Sequence, residues 1–248
     1  MRRLWICGLA LAAALAGCAA APRAASTGNA DFSGLWLGER LGSGNAAVNL
    51  GIRFDPATTP GEPDRPPLTP EYAAKFEAAL QARRNGDPFP DPTAECLPGG
   101  FPRMMGATPF PMEILMTPGK VTMIFEWLTQ VRHVYTDGRG HPAEVDPTYS
   151  GHSIGHWEGN ALVVETVGLR PETLISQQGL QHSDVTKVVE RFRLREDGKL
   201  EDQITIIDPK MLTQPWTVTR TYTRQPKERE LQEFVCLDGV LKQRARGR

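Results

Sequence analysis

Side chains that could exchange protons lie close together in one short stretch of this sequence. PTYSGHSIGHWEGNALVVETVG, at 147–168, contains His152, His156 and Glu165. Imidazole and carboxylate groups can transfer protons near neutral pH, so the stretch could serve general acid–base catalysis. Zinc would need three or four converging ligands, whereas two histidines four residues apart on a strand are separated by about 13 Å. The spacing therefore predicts proton transfer or substrate binding rather than a metal site.

Further candidate groups lie on either side of that stretch. All five histidines fall within 133–182, among arginine, tyrosine and glutamate residues. The sequence contains no serine-nucleophile motif, phosphate-binding loop or dinucleotide fingerprint, which argues against covalent acyl transfer and nucleotide chemistry. We predict that no cofactor is needed, that proton exchange is carried out by Glu190 and His182, and that the substrate is bound by Arg132, Tyr135, His152 and His156.

Strand register decides whether Glu190 faces the core, because a shift of one residue reverses every side chain. In VVERFRLREDGKLEDQITII, a three-residue loop at 196–198 pairs Glu190 with Ile204 and places it on the apolar face. A carboxylate there must be paired with a cation or held neutral. The alternative to a catalytic role is a structural ion pair with Arg132 or Arg191. The alternative for His182 is a hydrogen-bonded turn residue.

Register also places the two histidines of the opening stretch. A two-residue Gly159-Asn160 loop pairs Trp157 with Leu162 and turns both histidines, with Glu165, away from the core. These side chains would then be solvated unless a neighbouring loop covers them.

The elements that carry these residues are strands. One helix is predicted at 69–85, with Thr69 as its cap, Pro70 in its first turn and Gly86 at its end. Seven prolines at 87–111 exclude a helix or a central strand there. Strands are then predicted at 112–117, 121–128, 130–136, 152–158, 161–167, 186–195, 199–207, 216–223 and 231–236, with one more near Leu35.

Short links between consecutive strands indicate an antiparallel up-and-down meander, and such a meander closes on itself to hide its edges. GLW at 34–36 resembles the Gly-x-Trp at the barrel mouth of lipocalins. The predicted fold class is therefore all-β, a lipocalin-like barrel with the helix at 69–85 packed on it.

The amino terminus has the layout of a secretory signal peptide. MRRLWICGLALAAALAGC combines a basic start with a short apolar run, and its end resembles a lipoprotein processing site. We predict a signal peptide at 1–17, a lipid on Cys18, a flexible tether at 18–30 and a single domain at 31–248. Cleavage among the alanines at 19–25 is the alternative. The predicted location is the periplasm, with the outer membrane contacted through the lipid anchor alone.

Two cysteines, Cys96 and Cys236, remain once Cys7 and Cys18 are assigned to the leader and the lipid. In an oxidising compartment they can form one disulfide, which would contribute on the order of 4 kcal/mol. Two free thiols or half of a zinc site are the alternatives. The formal net charge of −1 gives no basis for a nucleic-acid partner.

Several segments together resemble a group of uncharacterised secreted bacterial proteins: ECLPGGFPR, YTDGRGHP, GHSIGHWEGNALVVETVGL, HSDVTKVVERFRL, IIDPKMLTQPWT and EFVC. The resemblance covers about residues 95–237 and implies secretion and one β-rich domain. It also supports Cys96 and Cys236 as partners. Asn160 stands where such proteins usually have aspartate in a W-E-G-D turn, which argues against catalysis by a turn acid.

Two functions fit these features. The first is a cofactor-independent lyase, isomerase or hydrolase that acts on a small apolar or aromatic compound in the cell envelope. The second is a noncatalytic carrier or sensor of a small-molecule ligand. The sequence makes no prediction of oligomeric state.

Overall fold

Nine strands form a closed barrel in the computed structural model of the protein, which describes residues 29–39, 65–87, 90–107 and 109–237. The strands are β1 (Gly34–Gly38), β2 (Met112–Thr117), β3 (Lys120–Phe125), β4 (Gln130–Tyr135), β5 (His152–Glu158), β6 (Ala161–Val167), β7 (Lys187–Leu194), β8 (Leu200–Ile207) and β9 (Trp216–Arg224). The described residues also contain one α-helix, α1 (Pro70–Asn85). The predicted all-β barrel with a single helix is therefore confirmed. The predicted signal peptide, Cys18 and most of the tether lie outside the described residues.

Strand order around the barrel follows the chain, and β1 closes the barrel by pairing with both β2 and β9. One pair departs from the predicted antiparallel meander: β4 and β5 are parallel, with Val134 beside Ser153. Two parallel neighbours need a long connection that carries the chain back to its starting end. The connection at 136–151 does this.

Two strand predictions need correction. The strand predicted at 121–128 ends at Phe125, because Leu128 and Thr129 have φ of 57° and 49° and the chain turns through a short 3-10 segment. The strand predicted at 231–236 is wrong, since residues 231–235 are irregular. Both edges of β9 are already paired, with β8 and with β1, so a further strand has no partner there.

Helix α1 begins and ends close to the predicted residues. Gly86 ends it in the left-handed conformation, with φ of 77°. Tyr72, Phe76 and Ala79 are buried on the face that packs against the barrel. The predicted cap is wrong in detail, because Thr69 makes no side-chain cap and its hydroxyl donates to the carbonyl of Lys210 at 2.9 Å.

The barrel is filled partly by its own chain. Residues 99–107, which we call the plug segment, are buried throughout. The hydroxyl of Tyr222, which points inward from β9, donates to the carbonyl of Met105 at 2.8 Å. A cavity of about 10 Å³ remains beside Met105 and Tyr222, enough for roughly one water molecule. The barrel interior formed by the described residues is therefore a packed core rather than an open calyx.

A disulfide anchors the plug segment at its amino-terminal side. Cys96 and Cys236 are bonded, with their Cα atoms 5.6 Å apart, which confirms the predicted pair. No helix in the described ranges is both long enough and apolar enough to cross a membrane.

Candidate functional site

Glu190 faces the barrel interior and is 0% exposed, as the predicted register required. Its partner is Arg132: Nη1 donates to Oε1 at 2.8 Å and Nη2 donates to Oε2. Arg132 also donates to the hydroxyls of Ser153 at 3.2 Å and Thr166 at 2.9 Å, and its guanidinium lies 3.9 Å from the ring centroid of Phe101. Both carboxylate oxygens and all three guanidinium nitrogens are therefore occupied by protein groups.

This arrangement matches the structural alternative for Glu190, with Arg132 as its cation. Arg191, the other cation considered, points outward and donates to Glu158 on the barrel surface. A bidentate pair without access to solvent holds its geometry firmly. It leaves neither group in a position to receive a substrate from outside.

A second buried pair of ionisable residues lies on neighbouring strands and was missed in the sequence. Asp202 and Arg220 are register partners on β8 and β9, and both are buried. Within the described part of the chain, neither oxygen of Asp202 accepts a hydrogen bond, and Nε and Nη1 of Arg220 donate none. Burial, and then the charge of Glu190, raise the pKa of Asp202 well above its usual value. The raised pKa opposes folding increasingly as pH rises above the ordinary aspartate pKa, because the folded state then retains a proton that the unfolded chain has released.

His182 lies away from this interior pair. Its Nε2 is 2.7 Å from the hydroxyl of Thr173, and its Nδ1 is 2.8 Å from the carbonyl of Ser183. Burial lowers the pKa of His182, so its imidazole is neutral at pH 7. No hydrogen bond joins His182 to Glu190 among the described residues. The contacts are those of a hydrogen-bonded turn residue, and the two groups predicted to exchange protons are not brought together.

The remaining predicted side chains lie on the outer face of the barrel. Tyr135 and His152 stack there with their ring centroids 5.6 Å apart. His156 is 67% exposed and pairs with Glu158 at 3.2 Å, away from that stack. The structure thus groups Tyr135 with His152, and separates both from Arg132 and His156.

The connection at 136–151 covers His152. The side chain of His152 faces outward but is therefore shielded from part of the solvent. Nδ1 of His141, from this connection, lies 2.7 Å from Nδ1 of His152. The connection is fixed behind them, since the amide of Thr148 donates to Gly168 and the amide of Arg170 donates to Thr148, both at 3.0 Å. His152 is therefore held between a strand and an ordered loop.

A carboxylate, that of Glu165, lies on the side of His141 opposite to His152. Nε2 of His141 lies 3.4 Å from Oε1 of Glu165, an electrostatic contact longer than a hydrogen bond. The other oxygen of Glu165 is 3.1 Å from the ammonium of Lys187. Glu165, His141 and His152 thus form a line of titratable groups, which we call the relay. The sequence pattern missed His141, because a loop residue follows no strand periodicity.

One assignment of hydrogens would make His152 a base. Nε2 of His141 has no hydrogen-bond partner among the described residues, and either Nδ1 of the His141–His152 pair can be the donor. When His152 donates its Nδ1 hydrogen to Nδ1 of His141, Nε2 of His152 carries a free lone pair. It makes no hydrogen bond with any residue in the described ranges.

The electrostatic surroundings keep His152 in the neutral form that a base requires. Burial is the largest cause, and the charges of His141 and Arg139 add to it, so that the pKa of His152 lies below its ordinary value. The guanidinium of Arg139 lies 4.2 Å from the ring centroid of Tyr135, which places this positive charge beside the stack. At pH 7 His152 is therefore unprotonated and able to accept a proton.

A groove of about 380 Å³ lies beside the relay, lined by Val131, His133, Tyr135 and residues 148–153. It forms where β4 and β5 share just two residue pairs, so the chains diverge before Val134 and Ser153. Its volume is in the range of small-molecule sites. We call it the relay groove. It brings a neutral histidine, an aromatic wall and a ligand-sized space together.

Two further sources of functional evidence would be a cluster of metal ligands and a match to a known protein. Over the described ranges, no three histidine, cysteine, aspartate or glutamate side chains are grouped so that they could hold a metal ion. No protein-family model matches the sequence, and no curated protein matches it.

Proposed function

We propose that the protein is a small-molecule-binding β-barrel of the cell envelope that carries out cofactor-independent acid–base chemistry in the relay groove. One observation carries the proposal. Glu165, His141 and His152 stand in line beside a ligand-sized groove, with Nε2 of His152 left unpaired. The proposed base is His152, in place of the predicted Glu190 and His182. Tyr135 and His152 stay substrate contacts, as in the sequence-based prediction.

The relay gives each proton a defined path. Nε2 of His152 takes a proton from a C–H or O–H group of the bound compound, and the electron pair of that bond stays on the compound. The Nδ1 hydrogen of His152 passes to Nδ1 of His141, which becomes a cation facing Glu165. Return of the proton to another atom completes an isomerisation, or loss of a leaving group completes an elimination. A positioned base of this kind contributes about 10²–10⁴-fold to the rate.

The groove lining fits a small aromatic or apolar compound with one polar reacting group. Tyr135 and Val131 provide apolar surface, and the imidazole of His133 adds a polar group to the lining. The guanidinium of Arg139, over the ring of Tyr135, is already paired with Asp137. A carbonyl compound with an acidic hydrogen on the adjacent carbon meets both requirements.

The envelope location remains part of the proposal. It is supported by the signal-like leader, by the position of Cys18, and by a disulfide of the kind that forms in oxidising compartments.

Deuterium uptake tests the chemistry without a known substrate. The protein is incubated in D₂O with acetophenone and phenylacetone, and loss of the α-proton signals is followed by NMR. We expect the wild type to accelerate uptake, and His152→Gln to lower the rate by about 10²–10⁴-fold. Glu158→Gln, an outward change at the far end of β5, is the matched control and should leave the rate unchanged.

Two other outcomes would contradict the proposal in different ways. Equal rates for the wild type and His152→Gln would remove His152 as the base. Saturable binding of both ketones without any uptake would leave the noncatalytic carrier as the function of the groove.

A further inference from the structure

A second cavity, of about 430 Å³, adjoins the relay groove. Its apolar lining consists of Pro90, Pro92, Leu97, Tyr149, Pro171 and Leu174. Tyr149 also lines the relay groove, so this residue forms a wall common to both spaces. Tyr149 and His152 are three residues apart, which is at most about 10 Å along the chain. The two cavities therefore lie side by side at this residue.

The walls of the second cavity, which we call the proline pocket, are held in place before any ligand arrives. Proline fixes its own φ, and three prolines contribute to the lining. Asp91 accepts two hydrogen bonds from the buried guanidinium of Arg103, at 2.7 and 2.9 Å. The disulfide at Cys96 fixes the chain next to Leu97. A ligand entering such a pocket orders little protein, so the burial of its apolar surface contributes to affinity.

Charges at the rim select against anions. The guanidinium of Arg170 is taken up, since it lies 5.0 Å from the ring centroid of Tyr149 and donates to Glu172 at 3.2 Å. Glu95, by contrast, is exposed and has no cationic partner in the described part of the chain. The rim therefore carries one uncompensated carboxylate, which repels an anionic ligand and tolerates a neutral or cationic one.

We propose that the proline pocket binds the apolar, uncharged or cationic end of an elongated aromatic compound, whose reacting end lies in the relay groove. This inference rests on the proposed function, and it adds the shape and the charge of the substrate. The aromatic end packs against Tyr149 and the prolines, and the reacting carbonyl lies beside His152, at most about 10 Å from Tyr149 along the chain.

Four probes of matched chemistry test the inference. They are acetophenone, 4-acetylbiphenyl, and 4-acetylbiphenyl with either a trimethylammonium or a carboxylate group on the far ring. Dissociation constants are measured by NMR titration, and deuterium uptake is measured alongside. We expect the neutral and cationic biphenyls to bind at least about tenfold more tightly than acetophenone, because a second ring is buried. The carboxylate should lose most of that gain.

Substitution of a pocket residue locates the effect. Leu97 is 44% exposed, so Leu97→Ser should fold normally, and it should weaken the neutral biphenyl about three- to tenfold with no effect on acetophenone. Leu115→Ser removes a leucine that is 42% exposed on β2, and is the matched control. It should change neither probe.

The outcomes separate this inference from the proposed function. If uptake depends on His152 but Leu97→Ser leaves biphenyl binding unchanged, the proline pocket is excluded and the relay stands. If no probe exchanges deuterium but Leu97→Ser selectively weakens the biphenyl, the pocket stands and the acid–base function fails. Tighter binding of the carboxylate probe would contradict the charge assignment.

Discussion

Replacing Glu190 with glutamine is expected to destabilise the fold by about 3–5 kcal/mol, because the change leaves the buried guanidinium of Arg132 without its counter-charge. Arg132→Met should cost a similar amount for the reverse reason. The double variant, Arg132→Met with Glu190→Leu, removes both charges together and should recover most of the loss. Free energies of unfolding from urea titrations provide the measurement.

The same strand offers a matched control on its outer face. Arg191 pairs with Glu158 in the open, so Arg191→Met should have a far smaller effect on stability. At a temperature where Glu190→Gln remains folded, its deuterium uptake in the relay groove should equal that of the wild type. A Glu190→Gln variant that is as stable as the wild type but shows no deuterium uptake would indicate that Glu190, inside the barrel, takes part in the proton transfer.

Loss of the disulfide is expected to cost about 4–5 kcal/mol. Cys96 and Cys236 are separated by 140 residues, and opening so long a loop restores a large conformational entropy to the unfolded chain. The plug segment begins three residues after Cys96, so the lost restraint acts at the entry of the chain into the barrel. Urea unfolding with and without dithiothreitol measures the difference.

A variant without the two bonded cysteines controls for other effects of the reductant. Cys96→Ala with Cys236→Ala should unfold at the same urea concentration with and without dithiothreitol, and at the midpoint of the reduced wild type. An unchanged midpoint for the reduced wild type would mean that the bridge contributes nothing to stability.

The barrel could be predicted because its strands alternate clearly and their hairpin loops are short. The three-residue loop at 196–198 gave the pairing of Glu190 with Ile204, and the Gly159-Asn160 loop gave that of Trp157 with Leu162, both as observed. Since side chains alternate between the two faces of a strand, these pairings placed Glu190 inside the barrel and His152 outside it. We call this alternation the parity of the strand. The parallel pairing of β4 and β5 could not be predicted. The sequence of the connection at 136–151 does not indicate at which end of the sheet the next strand begins.

The same alternation bears on which buried charged residues the sequence could reveal. The parity that placed Glu190 inside also applies to Asp202 and Arg220, which alternate with buried apolar residues on β8 and β9 and could have been found. His141 could not, since it reaches His152 through a connection with no periodic pattern. Glu190 and His182 were predicted to exchange protons because of their residue types. Residue type gives no information on whether two side chains are close in space.

The state of His152 is the most direct test of the relay. Its pKa and its tautomer are read from ¹⁵N chemical shifts during a pH titration of the labelled protein. We expect a pKa below the ordinary histidine value of about 6.5, with hydrogen on Nδ1 and none on Nε2 at pH 7. Arg139→Gln removes a neighbouring positive charge and should raise that pKa. An ordinary pKa that Arg139→Gln does not change, together with hydrogen on Nε2, would show that His152 is a solvated surface residue and that the relay does not exist.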